Sequence, residues 1–191
     1  MSQLSFPTVS AETLDAVISD DGLYRYYLER RLPPLPEYET ELGFGVHGWL
    51  CFVMLNPSTA DHTVDDPTIR KCKGFAYRLG FRGIRVVNLY AFRTSSPVVL
   101  TKAHHAGTDI VGPDADRWIR HAFDNSSSVA VAWGQKGPRP ERIGRIVAIA
   151  TEMKIDLHSI GVNSARDTMG QPKHPLMTAY KTPMTRWSPP A

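Results

Sequence analysis

Short apolar segments alternate with amphipathic ones through the middle of the chain. Four segments rich in aliphatic, β-branched or aromatic residues predict strands: residues 49–55, 84–89, 129–133 and 155–160. The first three are almost continuously apolar, which is typical of strands in a sheet that is covered on both faces. Residues 24–32 fit a strand or a helix, since the spacing of their aromatic side chains suits both.

Helices are predicted between these strands. The first opens at Asp66-Pro67, an N-cap residue followed by a proline in the first turn, and runs to about Leu79. A second covers residues 114–123, and a third covers residues 141–154, whose apolar residues share one helical face. The polar segments after the first two strands, and the Pro- and Gly-rich chain after the last, predict loops.

Strands that alternate with helices predict an α/β fold. We expect a single three-layer domain over residues 1–191, with a central, mostly parallel, four-stranded sheet and helices on both faces. Its core spans about residues 45–182, and residues 1–22, with an amphipathic pattern at 11–18, are expected to form a helical cap. Ligand sites form at the carboxyl ends of parallel strands. The segments after the three most apolar strands are therefore expected to meet in one cleft: residues 56–58, 88–93 and 134–136.

The composition excludes several classes of protein. With 42% hydrophobic and 21% charged residues, the 191-residue chain is unlike a disordered, coiled-coil or collagen-like protein. Its longest apolar run, residues 49–55, is too short to span a membrane, and its N-terminus lacks the features of a signal peptide. Cys51 and Cys72 give neither a disulfide framework nor a zinc motif. We expect a cytoplasmic monomer that binds no membrane and uses no metal or cofactor.

Positive charge is clustered, although the net charge is only +3. One stripe of cations contains no acid: Arg70, Lys71, Lys73, Arg78, Arg82 and Arg85. A second group lies around a Gly-Pro loop: Lys136, Arg139, Arg142 and Arg145. Such stripes suit the phosphate backbone of a nucleic acid, and solvated helix faces carry the same pattern. Charge alone leaves both interpretations open.

The turn after the first apolar strand carries candidate catalytic groups. Pro57 fixes the backbone after Asn56, so that the Asn side chain projects over the sheet edge, where it can hold a water molecule or a substrate amide. The nearby carboxylates of Asp61, Asp65 and Asp66 can act as a general base or offset positive charge. The alternative is a turn in which these side chains only cap backbone amides.

Two further polar residues stand out. Asn88 interrupts an apolar strand end, where an amide is costly unless it is hydrogen-bonded. Its donor and acceptor lie in one plane and match the edge of a nucleobase, although a buried Asn can also tie two loops together. His174 lies between Pro172 and Pro175 in a stiff segment that can place an imidazole, whereas most isolated histidines have no such role.

Four motifs carry a family resemblance: FVMLNPSTADHTVDDPTIRKC, VVNLYAFR, VAWG and GQPKHPL. They resemble the bacterial and phage family DUF1643 and, in the same order, the uracil-DNA glycosylase superfamily. The resemblance covers roughly residues 52–180 through short motifs. In that superfamily one strand ends in a water-activating Asn-Pro or Asp-Pro motif, and a second ends in an Asn that reads the base. A third carries Trp-Gly, and a late His-Pro-Ser loop supplies the His and the wedge into DNA.

The resemblance implies a monofunctional DNA glycosylase that flips a nucleotide out of the stack. Asn56 would position water, Asn88 would read the base edge, and His174 would donate a hydrogen bond to the departing base. Asp61, Asp65 or Asp66 would stabilise the sugar cation or take the water's proton. The remaining expected contacts are Ser58, Tyr90 and Phe75 to the base, Arg70, Arg93, Lys136 and Lys173 to phosphates, and Leu176 and Met177 to the gap in the stack.

Two departures from the superfamily pattern bear on the substrate. Ser58 stands where uracil-specific enzymes carry a Tyr that blocks pyrimidine C5, which implies a modified base such as the glucosylated hydroxymethylcytosine of phage DNA and a role in antiviral defence. The last motif reads HPL, without the superfamily's Ser hydroxyl, and no motif lysine is placed for a lyase reaction. The alternatives are a uracil or damaged-base repair glycosylase, a nucleoside or nucleotide hydrolase, and an inactive module that binds modified DNA.

Overall fold

The chain folds as an α/β protein around one mixed sheet. A computed structural model describes residues 16–33, 47–58, 65–135, 140–165 and 169–190. Its strands are β1 (Ala16–Ile18), β2 (Arg25–Arg31), β3 (His47–Met54), β4 (Phe81–Asn88), β5 (Ser128–Val131), β6 (Leu157–Ile160) and β7 (Met184–Arg186). Its helices are α1 (Pro67–Arg78), α2 (Pro97–His105), α3 (Ala115–Asp124) and α4 (Pro140–Glu152), with a short 3₁₀ turn at Pro175–Met177.

The seven strands are ordered β1-β2-β4-β3-β5-β6-β7. The four central strands β4, β3, β5 and β6 are parallel, whereas β1, β2 and β7 pair antiparallel at the two edges. The predicted α/β class is confirmed, but the predicted four-stranded sheet is wrong, because the sheet is larger and mixed. The extra strands are short or ambiguous in sequence: β1 and β7 have three residues each, and the pattern of β2 also fits a helix.

The sheet separates two apolar clusters. Along β3, Leu50 and Phe52 join one cluster while Cys51 and Val53 join the other, and all four are at most 1% exposed. Helix α1 contributes buried residues to the first cluster, and α2, α3 and α4 contribute to the second. Both faces of the central strands are therefore covered, which explains why their sequences are continuously apolar.

The first helix begins where the sequence predicts. Asp66 is the N-cap residue of α1, and its carboxylate accepts a hydrogen bond from the Ile69 N–H at 2.8 Å. Pro67 occupies the first turn, and the helix ends before Leu79, whose N–H donates to the Phe75 carbonyl at 3.0 Å. This helix begins next to the end of β3, so its first turn borders the carboxyl edge of the sheet.

Two elements differ from the prediction. Ala16–Ile18 forms strand β1, so a helical cap is wrong for these residues, and residues 1–15 lie outside those that the structure describes. Helix α2 occupies a segment that was predicted to be a loop. Leu100 is the one buried residue of this helix, so the sequence shows no apolar stripe that would have indicated a helix. Within the described ranges, no helix combines the length and apolar character needed to cross a membrane.

Candidate active site

The carboxyl ends of the parallel strands surround a cleft of about 670 Å³. All three segments that were predicted to meet contribute side chains or backbone to it: Asn56 and Ser58 after β3, Asn88 at the end of β4, and Gly134 and Gln135 after β5. The chain beyond β6 adds Asn163, Lys173 and His174. Lys136 lies outside the described residues. The predicted convergence on one cleft is therefore confirmed for the part of these segments that the structure describes.

Asn56 is held in one orientation by the loop after β4. Its Nδ2 donates to the Thr94 carbonyl at 2.6 Å and to the Pro57 carbonyl at 3.2 Å. The Thr94 N–H donates to the same Pro57 carbonyl at 3.0 Å, so the two loops fix each other. Because both amide hydrogens are engaged, Oδ1 is the atom left to accept a hydrogen bond. An acceptor at the cleft wall is what the predicted water-positioning role requires.

Asn88 is buried in the cleft wall with an unused donor. It is 5% exposed, and its Nδ2 has no hydrogen-bond partner among the described residues. A buried donor left unpaired costs about 1–3 kcal/mol of folding free energy. A structural Asn that ties two loops together would use this amide hydrogen, and no described residue accepts it. The arrangement instead leaves a donor for a ligand.

The Trp-Gly and His-Pro motifs meet in space. Gly134 has a φ of +79°, and a Cβ at this position would lie 3.1 Å from the Cβ of His174, so both the backbone and the close approach favour glycine. The Nδ1 of His174 accepts a hydrogen bond from the Leu176 N–H at 3.3 Å, which leaves Nε2 to carry the proton of the neutral ring. Burial lowers the pKa of His174, and the charge of Asp66 partly opposes this. The imidazole is thus suited to donate a hydrogen bond as a neutral group.

The segment that carries His174 is anchored on both sides. The Lys173 N–H donates to the Gly161 carbonyl at 3.0 Å, directly after β6. Beyond the 3₁₀ turn, Tyr180 lies against α1 at Gly74, where a Cβ would come within 2.5 Å of the Tyr180 hydroxyl. These contacts hold the segment against both β6 and α1, although its sequence predicts only an irregular loop.

The predicted DNA-inserting residues are exposed between these anchors. Leu176 is 49% exposed and Met177 is 76% exposed, and Met177 also lines the cleft. Lys173, predicted to contact phosphate, lines the cleft as well. Large apolar side chains this exposed at the border of a cleft are available to a partner.

The three candidate carboxylates have different environments. Asp65 does not line the cleft, because it forms ion pairs with Arg30 at 2.8 Å and with Lys73 at 2.7 Å, which lower its pKa. Asp66 is the N-cap predicted from the sequence, and it also lines the cleft. Asp61 lies outside the described residues. Asp65 is therefore held in ion pairs away from the cleft lining, whereas Asp66 combines a structural role with a place in the cleft.

Ser58 is joined to Asp66 in the cleft wall. Its hydroxyl donates to Asp66 Oδ2 at 3.1 Å, while Oδ1 of the same carboxylate accepts the N–H of Ile69. Both oxygens of Asp66 are thus held by the protein, which fixes the position of its negative charge. The small Ser58 side chain fills little of the cleft at this point.

Two predicted base contacts, Tyr90 and Phe75, lie in the apolar core rather than in the cleft lining. Tyr90 is 2% exposed and belongs to the core cluster on the α3 and α4 side of the sheet. Phe75 is 1% exposed and belongs to the α1 cluster, where it contacts the Tyr180 ring at 5.1 Å between centroids. Neither lines the cleft. Both aromatic rings lie in motifs that reach the cleft, but they point into the core.

Many cations of the two predicted stripes are engaged within the protein. Four of these cations form ion pairs with acidic residues: Lys73–Asp65, Arg85–Glu29, Arg142–Asp116 and Arg145–Asp116. Lys71 lies over the Tyr180 ring at 3.7 Å from its centroid. The exposed Arg70 donates to the Asp65 carbonyl, and Arg93 Nη1 donates to the Gly22 carbonyl at 3.0 Å. The stripes therefore offer fewer free charges to a phosphate backbone than the sequence predicts.

Arg25 lines the cleft and is absent from the sequence-based prediction. It is the first residue of β2 and is 6% exposed. Its backbone N–H donates to the Ala91 carbonyl at 2.9 Å. The only signal in the sequence is a charged residue between Tyr24 and Tyr26 in an aromatic segment. Its place in the cleft depends on the pairing of β2 with β4, which local sequence patterns do not reveal.

The model of the family DUF1643, described as a protein of unknown function, matches residues 25–176. This range runs from Arg25 to the segment that carries His174. The chain belongs to the DUF1643 family. No curated protein and no solved structure gives a significant match to it. Among the described residues of this DUF1643 protein, no group of three or more His, Cys, Asp or Glu side chains could hold a metal ion.

Proposed function

We propose that this DUF1643 protein is a monofunctional DNA glycosylase that excises a modified pyrimidine and leaves an abasic site. The observation that carries the proposal is the buried, unpaired Nδ2 of Asn88 in a cleft that also contains Asn56 and His174. Proteins rarely leave a buried donor without a partner, and a ligand that brings an acceptor supplies one. The edge of a flipped base carries such acceptors.

Each polar group of the cleft has a place in this reaction. The C1′–N1 bond breaks with its electron pair staying on the base, and a water molecule attacks C1′ and releases a proton to the solvent, from which the departed base anion takes one up. Asn56 Oδ1 accepts a hydrogen bond from the water, and His174 Nε2–H donates to the leaving base. The fixed charge of Asp66 stabilises positive charge on the sugar, since both of its oxygens are held in place.

The dimensions of the cleft support a base with a substituent at C5. Its volume of about 670 Å³ lies well within the range of roughly 300–1,000 Å³ in which proteins hold drug-sized ligands. A bare pyrimidine is smaller than such ligands, and Ser58 leaves space in the wall. Glucosylated hydroxymethylcytosine of phage DNA is the substrate that we propose, and defence against phage is the corresponding role.

Contacts to DNA come from the segment around the 3₁₀ turn. Met177 and Leu176 are exposed apolar side chains that suit the gap left by a flipped nucleotide, and Lys173 suits a phosphate. This segment is anchored to β6 and α1, so inserting it into a duplex does not require it to fold first.

The proposal is tested with two duplexes, one containing uracil and one containing glucosylated hydroxymethylcytosine, followed by alkaline cleavage at abasic sites. We expect alkali-dependent breaks in the glucosylated duplex, and a loss of about 10²–10⁴-fold in rate for Asn56→Ala. The matched control is Asn125→Ala at the exposed C-terminus of α3, which is expected to keep full activity. Breaks at uracil alone would keep the mechanism and contradict the wide pocket, and no abasic sites in either duplex would contradict the proposal.

A second candidate is a hydrolase of free nucleosides or nucleotides. The observation in its favour is that Lys73, Arg85, Arg142 and Arg145 are ion-paired within the protein. Binding of a duplex oligonucleotide that weakens steeply with salt supports the DNA enzyme, because phosphate contacts release counterions. Hydrolysis of free nucleotides without duplex binding supports the second candidate. Tight duplex binding without base release in the wild type indicates an inactive module that recognises modified DNA.

A further inference from the structure

Arg25 places a positive charge inside the cleft, and no acid among the described residues forms an ion pair with it. Its side chain lines the cleft at 6% exposure, and its Nε has no hydrogen-bond partner among the described residues. A guanidinium carries five N–H donors and is costly to bury without partners. A second unpaired donor, the Nδ2 of Asn88, lies in the wall of the same cleft.

The described charges around Arg25 act in opposite directions. Asp66 attracts it from the cleft wall, whereas Arg93 and Arg30 repel it. Both oxygens of Asp66 already accept hydrogen bonds from other groups, and no ion pair joins Arg25 to an acid in the described part of the chain. Burial lowers the pKa of Arg25 to about 10, so the guanidinium is still positively charged at neutral pH.

His174 does not supply a positive charge to the cleft as Arg25 does. Its Nδ1 accepts from a backbone N–H, and burial favours the neutral ring, so the imidazole offers one hydrogen-bond donor without charge. Cleavage of a glycosidic bond leaves negative charge on the base. Of the groups described in this cleft, Arg25 combines permanent charge, burial and free donors.

We propose that Arg25 is a catalytic residue that binds the departing base and stabilises its negative charge. This role rests on the proposed glycosylase function. As the C1′–N1 bond breaks, its electron pair stays on the pyrimidine ring and spreads to O2, next to N3. The planar fork of a guanidinium matches two neighbouring acceptors of this kind. Arg25 transfers no proton, and the base takes up its proton after it leaves.

The direct test measures binding of a base anion without requiring excision. Wild type and Arg25→Gln are titrated with free 5-fluorouracil below and above the pH at which the ring loses its proton. We expect the wild type to bind the anion about tenfold or more tightly than the neutral base, as a charge-assisted hydrogen bond provides, and Arg25→Gln to lose this preference. Lys154→Gln, at an exposed position just before β6 and therefore at the opposite edge of the sheet from the cleft, removes the same charge and is expected to behave as wild type.

Two results would overturn the role of Arg25. One is an anion preference that Arg25→Gln retains while its thermal unfolding shows that it is folded. The other is displacement of 5-fluorouracil by inorganic phosphate from the wild type but not from Arg25→Gln, which would make Arg25 a phosphate ligand. An Arg25→Lys variant that recovers part of the anion preference supports the proposal, since it restores charge without the planar fork.

Excision assays separate this inference from the proposed function. With single-turnover excision of the preferred base, we expect Arg25→Gln to lose about 10²–10³-fold in rate, as when one donor to a developing anion is removed. Excision that is unaffected by Arg25→Gln overturns the role of Arg25 and leaves the glycosylase function standing. A wild type that excises no base but binds the 5-fluorouracil anion through Arg25 overturns the glycosylase function and supports the anion site.

Discussion

Arg25 and Arg142 are almost equally buried, at 6% and 8% exposure, but among the described residues only Arg142 has an acidic partner. Arg142 forms an ion pair with Asp116, and its Nε donates to the Leu89 carbonyl at 2.6 Å, with Nη2 left unpaired. These bonds join α4 to the end of β4. Arg25 lies in the cleft, and its Nε lacks a partner in the described structure. A buried arginine without an acidic partner lowers the stability of the fold, whereas a paired one such as Arg142 does so less. An unpaired arginine such as Arg25 is expected where a ligand completes the site.

The asparagines of the cleft repeat this difference. Both amide hydrogens of Asn56 are bound by carbonyls, and Asn163 Nδ2 donates to the Gln171 carbonyl at 3.1 Å. Asn88, at similar burial to Asn163, keeps its Nδ2 unpaired. Satisfied amides therefore maintain the loops around the cleft, and we propose that the unpaired amide of Asn88 recognises the ligand. The following experiments test whether this division holds.

Removing the partner of Arg142 is expected to have the largest effect on stability. Asp116→Ala leaves a buried guanidinium without its acid, and we expect a loss of about 2–3 kcal/mol in the free energy of unfolding, below the ~3–5 kcal/mol of a fully buried pair because Asp116 is partly exposed. Urea unfolding measures this. Asp156→Ala removes an acid from an exposed pair with Arg186 and is expected to cost at most about 1 kcal/mol. Equal losses in both variants would contradict the structural role assigned to Arg142.

Replacing Asn88 is expected to separate stability from activity. Asn88→Leu removes an unpaired buried donor, so we expect the free energy of unfolding to rise by about 1 kcal/mol while excision is lost. Asn163→Leu is the matched control at a buried Asn with satisfied bonds, and it is expected to lower stability by about 1–3 kcal/mol. A fall in the stability of Asn88→Leu as large as that of the control would show that Asn88 serves the fold.

The contact between Gly134 and His174 predicts a smaller loss. Gly134→Ala forces a side chain onto a backbone with a φ of +79° and against His174, which is expected to cost about 1–2 kcal/mol of stability and to slow excision by moving the imidazole. Gly144→Ala in α4 meets no atom within 4 Å and is expected to raise stability by up to about 1 kcal/mol. Chemical denaturation of both variants, with excision rates alongside, provides the comparison.

The pH dependence of His174 is expected to be the smallest effect. Its folded-state pKa is lowered by burial, so the unfolded chain binds more protons below the ordinary pKa of about 6.5. Its contribution to stability is therefore present above that pH and is lost as the pH falls through the lowered folded pKa. Excision is expected to decline over the same acidic range, as Nδ1 takes up a proton. His174→Gln is expected to remove this limb of the pH–rate profile, and an unchanged limb would assign it to another group.

The central strands and the cleft could be predicted because their signals are local. A strand buried on both faces has a continuously apolar sequence, and the rule that sites form at the carboxyl ends of parallel strands then brings Asn56, Asn88 and Gly134 together. The N-cap Asp66 also follows from its own dipeptide with Pro67. The edge strands β1 and β7 could not be predicted, since three residues give no periodicity.

The errors concern side-chain direction and long-range pairing. Tyr90 and Phe75 belong to the right motifs, but the register of the strand and the face of the helix turn them into the two cores. Asp65 and Asp66 are neighbours in sequence, yet Asp65 is the one that pairs with Arg30 on β2 and Lys73 on α1, and local sequence does not show this choice. Arg25 reaches the cleft through antiparallel pairing of β2 with β4, whose partners are distant in sequence.

The most direct test of the account is the identity of what leaves the DNA. Wild type is incubated with DNA that contains glucosylated hydroxymethylcytosine, and the soluble fraction is analysed by mass spectrometry before any alkali is added. We expect one free glucosylated base for each abasic site, an intact DNA backbone, and almost no release by Asn56→Ala. Release of nucleotides, or no release of any base by the wild type, would contradict it.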